Sequence, residues 1–181
     1  MTRLLLIMMS CLLNMACSDD DSCMKYGFAL EGKYSEQQLA DRETRVGQPF
    51  IIEQGYAVRD KLGRELISEE DIYLLLKNEM NETERNAILS EFGPFLLYMS
   101  MNNSVDQIKF YLDNGIDALV HHKDLGVPMA NMFIYFAKER VPELHNKRIQ
   151  KFKFFKDYYQ KRNIRSEIFD DVEAFFEKCY L

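Results

Sequence analysis

The sequence predicts a mainly α-helical fold with a small β-hairpin or extended stretch near the N-terminus, on three observations. Apolar residues recur at helical spacing through most of the chain, as in Ile72, Leu75 and Leu76 and again in Phe152, Phe155 and Tyr159. Capping pairs of the Ser-x-x-Asp or Asn-x-x-Glu kind stand at the start of several such runs. Only residues 50–66 carry a strand-like pattern: Phe50, Ile51, Ile52, Tyr56 and Val58, then a turn-like 60–63 and Leu66. The 181 residues, 47% apolar and 29% charged, suit one globular domain, which excludes a multi-domain machine, a disordered chain and a polytopic membrane protein. A net charge of −6 argues against nucleic acid as a partner.

Taken in order, residues 24–34 read as irregular, with Gly27 and Gly32. Ser35 with Gln38 predicts a short helix over 36–45, stopped by Gly47. After the hairpin, Ser68 with Asp71 caps one helix and Asn81 with Glu84 caps the next, which carries Ala87, Ile88 and Leu89. Gly93 and Pro94 are expected to open a further helix through Phe95, Leu96, Tyr98 and Met99. Ser104 with Gln107 caps another, carrying Ile108, Phe110, Tyr111 and Leu112. That helix ends in Asn114, Gly115 and Ile116, a left-handed cap with a hydrophobic latch. Gly126 and Pro128 open the next helix, which continues through Phe133 and Phe136, and a last helix follows over 166–179.

Ahead of all this, Arg3 precedes an apolar run over 4–16 broken only by Ser10 and Asn14, which is signal-peptide architecture. The run is too short for a bilayer that needs about 20 helical residues, and Asp19, Asp20 and Asp21 follow it closely. Its end, Leu13, Asn14, Met15, Ala16 and Cys17, resembles the bacterial lipoprotein signal, in which a small residue precedes a cysteine that is acylated and becomes N-terminal on cleavage. The resemblance implies a signal over 1–16, a lipidated Cys17 and a membrane anchor. Ser18 rather than Asp after the cysteine implies sorting to the periplasmic, inner leaflet of the outer membrane. The processed chain would keep 165 residues and a charge of −7, because Arg3 is the only charge lost. Cys11 then leaves with the signal and Cys17 carries lipid, so Cys23 and Cys179 remain as an expected disulfide in an oxidising compartment. Closing so long a loop is worth about 4–5 kcal/mol on the chain-entropy account. The lipid and tether occupy 17–23, so the folded part begins within roughly 20 Å of the anchor. An N-terminal region covers 24–67, and helical repeats cover 68–181.

Gly93 and Gly126 lie 33 residues apart, the ankyrin period. Leu112, Asn114, Gly115, Ile116 and Asp117 match the helix-ending Leu-x-x-Gly-Ala-Asp signature of ankyrin repeats, and Gly126 and Pro128 stand near the family's Gly-x-Thr-Pro-Leu-His start without its Thr and His. A half-match follows 47 to 48 residues downstream, where Tyr158, Tyr159, Asn163 and Ile164 echo Tyr111, Leu112, Gly115 and Ile116 through an insertion around 138–150. This stretch resembles a degenerate ankyrin repeat array, and the resemblance implies stacked helix pairs with protruding turns.

No phosphate-binding Gly-rich loop, Gly-x-Ser-x-Gly elbow, His-Glu-x-x-His or Cys-x-x-Cys occurs, so no catalytic residue, metal or cofactor is expected. His121 and His122 are neighbours on a turn, where side chains seldom converge on one ion. Residues 147–165 hold eight cations and one acid, Asp157, whereas 65–91 hold eight acids and two cations. The basic helix is expected to bury Phe152, Phe155 and Tyr159 and to turn a solvated basic back outward, toward anionic headgroups or an acidic partner. Such polarity favours oriented docking.

A small, acidic lipoprotein with degenerate ankyrin-like repeats resembles the immunity lipoproteins that accompany antibacterial phospholipase effectors of type VI secretion systems. That resemblance implies a binding protein rather than an enzyme, with a cognate phospholipase toxin as its partner. Expected contacts are the turn over 118–125, with His121, His122, Lys123 and Asp124, and the helix positions Met99, Asn102, Asn103 and Asn131. A non-inhibitory envelope scaffold is the alternative.

Overall fold

The computed structural model describes residues 22–27, 29–30, 32–34, 48–64, 68–100, 103–122, 125–130 and 142–179. The signal, Cys17 and the helix expected over 36–45 lie outside the described residues. The fold is mainly helical: α1 Gln48–Leu62, α2 Glu69–Asn78, α3 Glu82–Ser100, α4 Val105–Asp113, α5 His145–Gln160 and α6 Glu167–Cys179, with a 3-10 turn at Pro142–Leu144 before α5. Among the described residues, the only β feature is a single antiparallel bridge between His122 and Gly126.

Two expectations in the N-terminal region are overturned. Residues 22–27, 29–30 and 32–34 are helical rather than irregular, and the expected hairpin is the helix α1. The turn signal at 60–63 was a helix stop. Gly63 takes φ +65°; its N–H donates to the Asp60 carbonyl and the N–H of Arg64 to that of Arg59, which is the Schellman pattern. Val58 is fully buried and Leu62 packs against the core, four residues apart on one helical face. Packing of that face on α3 outweighs the β-branched residues that suggested strands.

The expected caps of α2, α3 and α4 are formed. Ser68 and Asp71 exchange the two bonds of a capping box, Asn81 and Glu84 do the same, and Ser104 accepts from the N–H of Gln107. The Gln107 side chain reaches instead to Glu70 on α2.

Gly93 and Pro94 do not open a helix; both lie inside the 19-residue α3. The second half of α3 buries residues on every side, including Phe92, Phe95, Leu96, Leu97 and Tyr98, so it forms the centre of the fold. Gly93 has a packing role: a Cβ there would stand 2.8 Å from Ile116 Cγ1 and closer still to Cδ1. Ile116 is the latch of the turn after α4. That turn is a full Schellman motif, with Gly115 at φ +89°, Gly115 N–H donating to Leu112 and Ile116 N–H to Tyr111 at 3.1 Å each. The 33-residue spacing therefore joins a mid-helix glycine to a turn glycine, Gly126 at φ +65°, so the two glycines are not equivalent positions of a repeat.

Helices α5 and α6 run antiparallel. The rings of Phe152 and Phe176 lie 5.3 Å apart and those of Tyr159 and Phe169 5.6 Å apart, and Lys156 bonds both carboxylate oxygens of Glu173 at 2.7 Å. The N-terminal helical residues form a strap along α6 in the opposite direction. Cys23 is disulfide-bonded to Cys179 with Cα atoms 5.7 Å apart, Tyr26 stacks on Phe175, Leu30 is buried, and Lys33 and Tyr34 both donate to Asp171 at 2.7 and 2.6 Å. Burial pushes the Asp171 carboxyl up, but the bonds from Lys33 and Tyr34 more than offset this and hold it below its ordinary value.

The Gly93–Ile116 contact yields a change of sign. Gly93→Ala should destabilise the chain by about 1–2 kcal/mol through overpacking. In an Ile116→Ala background the same substitution should stabilise by up to about 1 kcal/mol, because only the helix propensity of alanine remains. Urea unfolding of the four chains measures both values, and equal effects in the two backgrounds would contradict the contact.

Candidate functional site

The segment that follows α4 is a braced finger. Its base is buried and hydrogen-bonded: Ala118 is fully buried, its N–H donates to the Tyr159 hydroxyl at 2.8 Å, and its carbonyl accepts from the N–H of Met129 at 3.1 Å. The Tyr159 hydroxyl in turn donates to Asp117 Oδ1 at 2.6 Å. The same carboxylate oxygen accepts from the N–H of Leu119 at 2.9 Å, the side-chain turn that Asp favours. Further out, His122 and Gly126 exchange both backbone bonds, at 2.8 and 2.7 Å, and close the loop. Leu125 is fully buried beneath it. Between the base and this bridge, Val120, 60% exposed, and His121 reach solvent. Burial, and then the bond to Asp117, raises the Tyr159 hydroxyl above its ordinary range, so it stays protonated and able to donate.

Of the expected contact residues, His121 is exposed, and His122 is half-buried with its backbone in the bridge. Met99 is half-buried and packs against the core, so it supports the fold more than it offers a surface. Asn103 is half-buried at the junction of α3 and α4, its N–H donating to the Ser100 carbonyl at 2.8 Å. Asn102, Lys123, Asp124 and Asn131 lie outside the described residues. Ala118 and Leu125, the two ends of the expected contact turn, are interior. Val120 falls within the expected contact turn over 118–125, but the sequence did not single it out, because one valine between Leu119 and His121 gives no periodic signal. It also read Tyr159 only as a core ring and missed the hydroxyl that braces the finger.

The basic helix α5 also differs from expectation. Arg148 and Lys151 are buried rather than on a solvated back. Burial pushes the Lys151 ammonium down to about 8, and the like charges of Arg148 and Lys147 push the same way. Toward its end, α5 is cross-linked to α4. Asp113 accepts from Tyr158 at 3.1 Å and Arg162 at 3.3 Å and pairs with Lys109, while the Arg162 guanidinium lies 3.5 Å from the Tyr158 ring centre. The hydrogen bond from Lys109 leads in holding the Asp113 carboxyl below its ordinary value. These groups, with Phe154, Asp157 and Lys161, line a small pocket of about 220 Å³.

No protein-family model, curated protein or solved structure matches the chain. Among the described residues no three His, Cys, Asp or Glu side chains are grouped to hold a metal ion. The arrangement suits recognition: exposed side chains on a buried, hydrogen-bonded base lose little conformational entropy when a partner docks.

Tyr159→Phe tests the brace. It removes one hydroxyl with two partners and leaves the buried Ala118 N–H unsatisfied, so it should cost about 1–3 kcal/mol. It should also speed hydrogen exchange at the Ala118 amide, read by NMR. An unchanged exchange rate there would show that the hydroxyl does not hold the finger.

Proposed function

We propose that this chain is a periplasmic lipoprotein, anchored through Cys17 to the outer membrane, that binds and inhibits a cognate antibacterial phospholipase of a type VI secretion system. The observation that carries the reading is the braced finger, which exposes Val120 and His121 above a buried base. The sequence resemblance to ankyrin repeats supports it. Helices α4 and α5 end in the same backbone motif, Ile116 N–H to the Tyr111 carbonyl and Ile164 N–H to the Tyr159 carbonyl, with the finger and a helical turn at 128–130 between them. We read this stretch as one ankyrin-like unit inside a helical domain. The short tether of 17–23 supports the role, since it would hold an inhibitor beside the lipid that the toxin attacks.

The decisive experiment mixes the chain from Ser18 onward with the product of the adjacent gene and measures phospholipase activity. Equimolar chain should suppress hydrolysis. Binding without suppression would favour the envelope scaffold, and no binding with unchanged activity would remove the immunity reading. The anchor has its own test: cells expressing the full chain should incorporate labelled palmitate, and Cys17→Ser should abolish it. Labelling retained by the variant would disprove the assignment of Cys17.

A further inference from the structure

The anchor and the finger are fastened to opposite ends of the α5–α6 pair. Cys23 is bonded to Cys179, the last residue of α6. It follows the expected lipidated Cys17 by six residues, which span at most about 20 Å. The strap fixes this attachment in register on α6: Tyr26 stacks on Phe175, and Lys33 and Tyr34 donate to Asp171, nearer the start of that helix. The finger is held elsewhere. Its base, Ala118, is bonded to the Tyr159 hydroxyl, and the Tyr159 ring packs against Phe169. Phe169 precedes Cys179 by ten residues of α6, so the ring under the finger stands about 15 Å from the disulfide along the helix. Helix α5 gives the same order, since Phe152 in its first half meets Phe176 and Tyr159 near its end meets Phe169.

Charge does not decide how the disulfide end meets a bilayer. Exposed Lys147 and Lys178 stand there with exposed Glu143 and Glu177, so the signs are mixed. Connectivity decides it. A folded domain cannot enter the hydrocarbon, and a body tied to a surface by one end keeps that end nearer to it than the other.

Resting on the reading of the chain as an anchored binding protein, we propose that it stands on the bilayer at its disulfide end and offers the finger to its protein partner at the other. The first turn of α5 and the last turn of α6 face the phospholipid headgroups. Exposed apolar Val120 has two possible occupants beside a membrane, lipid or protein. The attachment at Cys23 favours protein, because the headgroups lie at the opposite end of the helix pair. The partner therefore docks without displacing the contact between the domain and the bilayer.

The test uses the lipidated full chain on vesicles of phosphatidylethanolamine and phosphatidylglycerol that carry an acceptor dye on their headgroups. A fluorescent amino acid replaces Val120 or Lys147, both exposed. With an offset of about 15 Å between the two ends, energy transfer should be at least about twofold stronger from 147 than from 120. Equal transfer, or stronger transfer from 120, overturns the orientation and leaves the anchor intact. A chain that carries no lipid and does not stay on the vesicles overturns both. Surface plasmon resonance with the product of the adjacent gene then reads the docking end. The bulky residue at 120 should weaken binding at least about tenfold, and the one at 147 should leave it unchanged. Weakening at 147, or none at 120, overturns docking at the far end, and a wild-type chain that does not bind removes the binding reading with it. Melting curves should be unchanged; if the chain altered at 120 melts early, the same residue at exposed position 121 carries the test.

Discussion

A loop that passes through the interior must satisfy its own peptide groups, and the fold is arranged around one that does. Ala118 is without solvent contact, so its N–H and carbonyl must find partners in the protein. They find them on distant elements: the Tyr159 hydroxyl from α5 and the Met129 N–H from the turn of helix at 128–130. Two residues earlier, Ile116 closes on Gly93 at the middle of α3. One short segment thus fastens three parts of the chain that are far apart in sequence. The finger beyond it can be exposed because its base is not.

The two ends of the described chain are joined in a different way. A strap of only a few helical turns buries little apolar area on its own, and helices so short are not stable in water. Here the disulfide holds one end of the strap to the last residue of α6, and the Lys33, Tyr34 and Asp171 cluster holds the other. Between these points Leu30 is buried and Tyr26 stacks on Phe175. Exposed ion pairs of this kind contribute little stability singly. The covalent bond and the buried side chains carry most of the attachment, and the polar cluster sets the register of the strap on the helix.

The internal repetition has one physical meaning in its backbone and another in its burial. Gly115 and Asn163 both occupy the left-handed region that ends a helix, and the residues around them make the same hydrogen bonds. What surrounds them differs. The turn after α4 presses Ile116 onto α3 at Gly93, whereas the turn after α5 leaves Ile164 40% exposed. A repeat of local structure does not require a repeat of environment.

The sequence by itself determined the features that hydrogen bonds between near neighbours can write. Ser68 with Asp71, Asn81 with Glu84, Ser104 with Gln107, and the left-handed stops at Gly115 and Asn163 all involve groups within about five residues, so side-chain chemistry at a few positions specifies them. Cysteine arithmetic likewise named Cys23 and Cys179 as partners. The same local rules misled at α1, because a glycine that stops a helix and a glycine that turns a hairpin look alike until the packing partner is known. They misled again at Gly93, which resembles a helix start and is instead the place where Ile116 must fit. The candidate site was legible as a turn and a length of chain, but its inside and outside were not. Only the tertiary structure decided that Ala118 and Leu125 face inward, that Val120 faces out, that Arg148 and Lys151 are buried, and that Tyr159 reaches across 41 residues to brace the finger. Burial is a property of what lies nearby in space, and for these residues the neighbours that matter are remote along the chain.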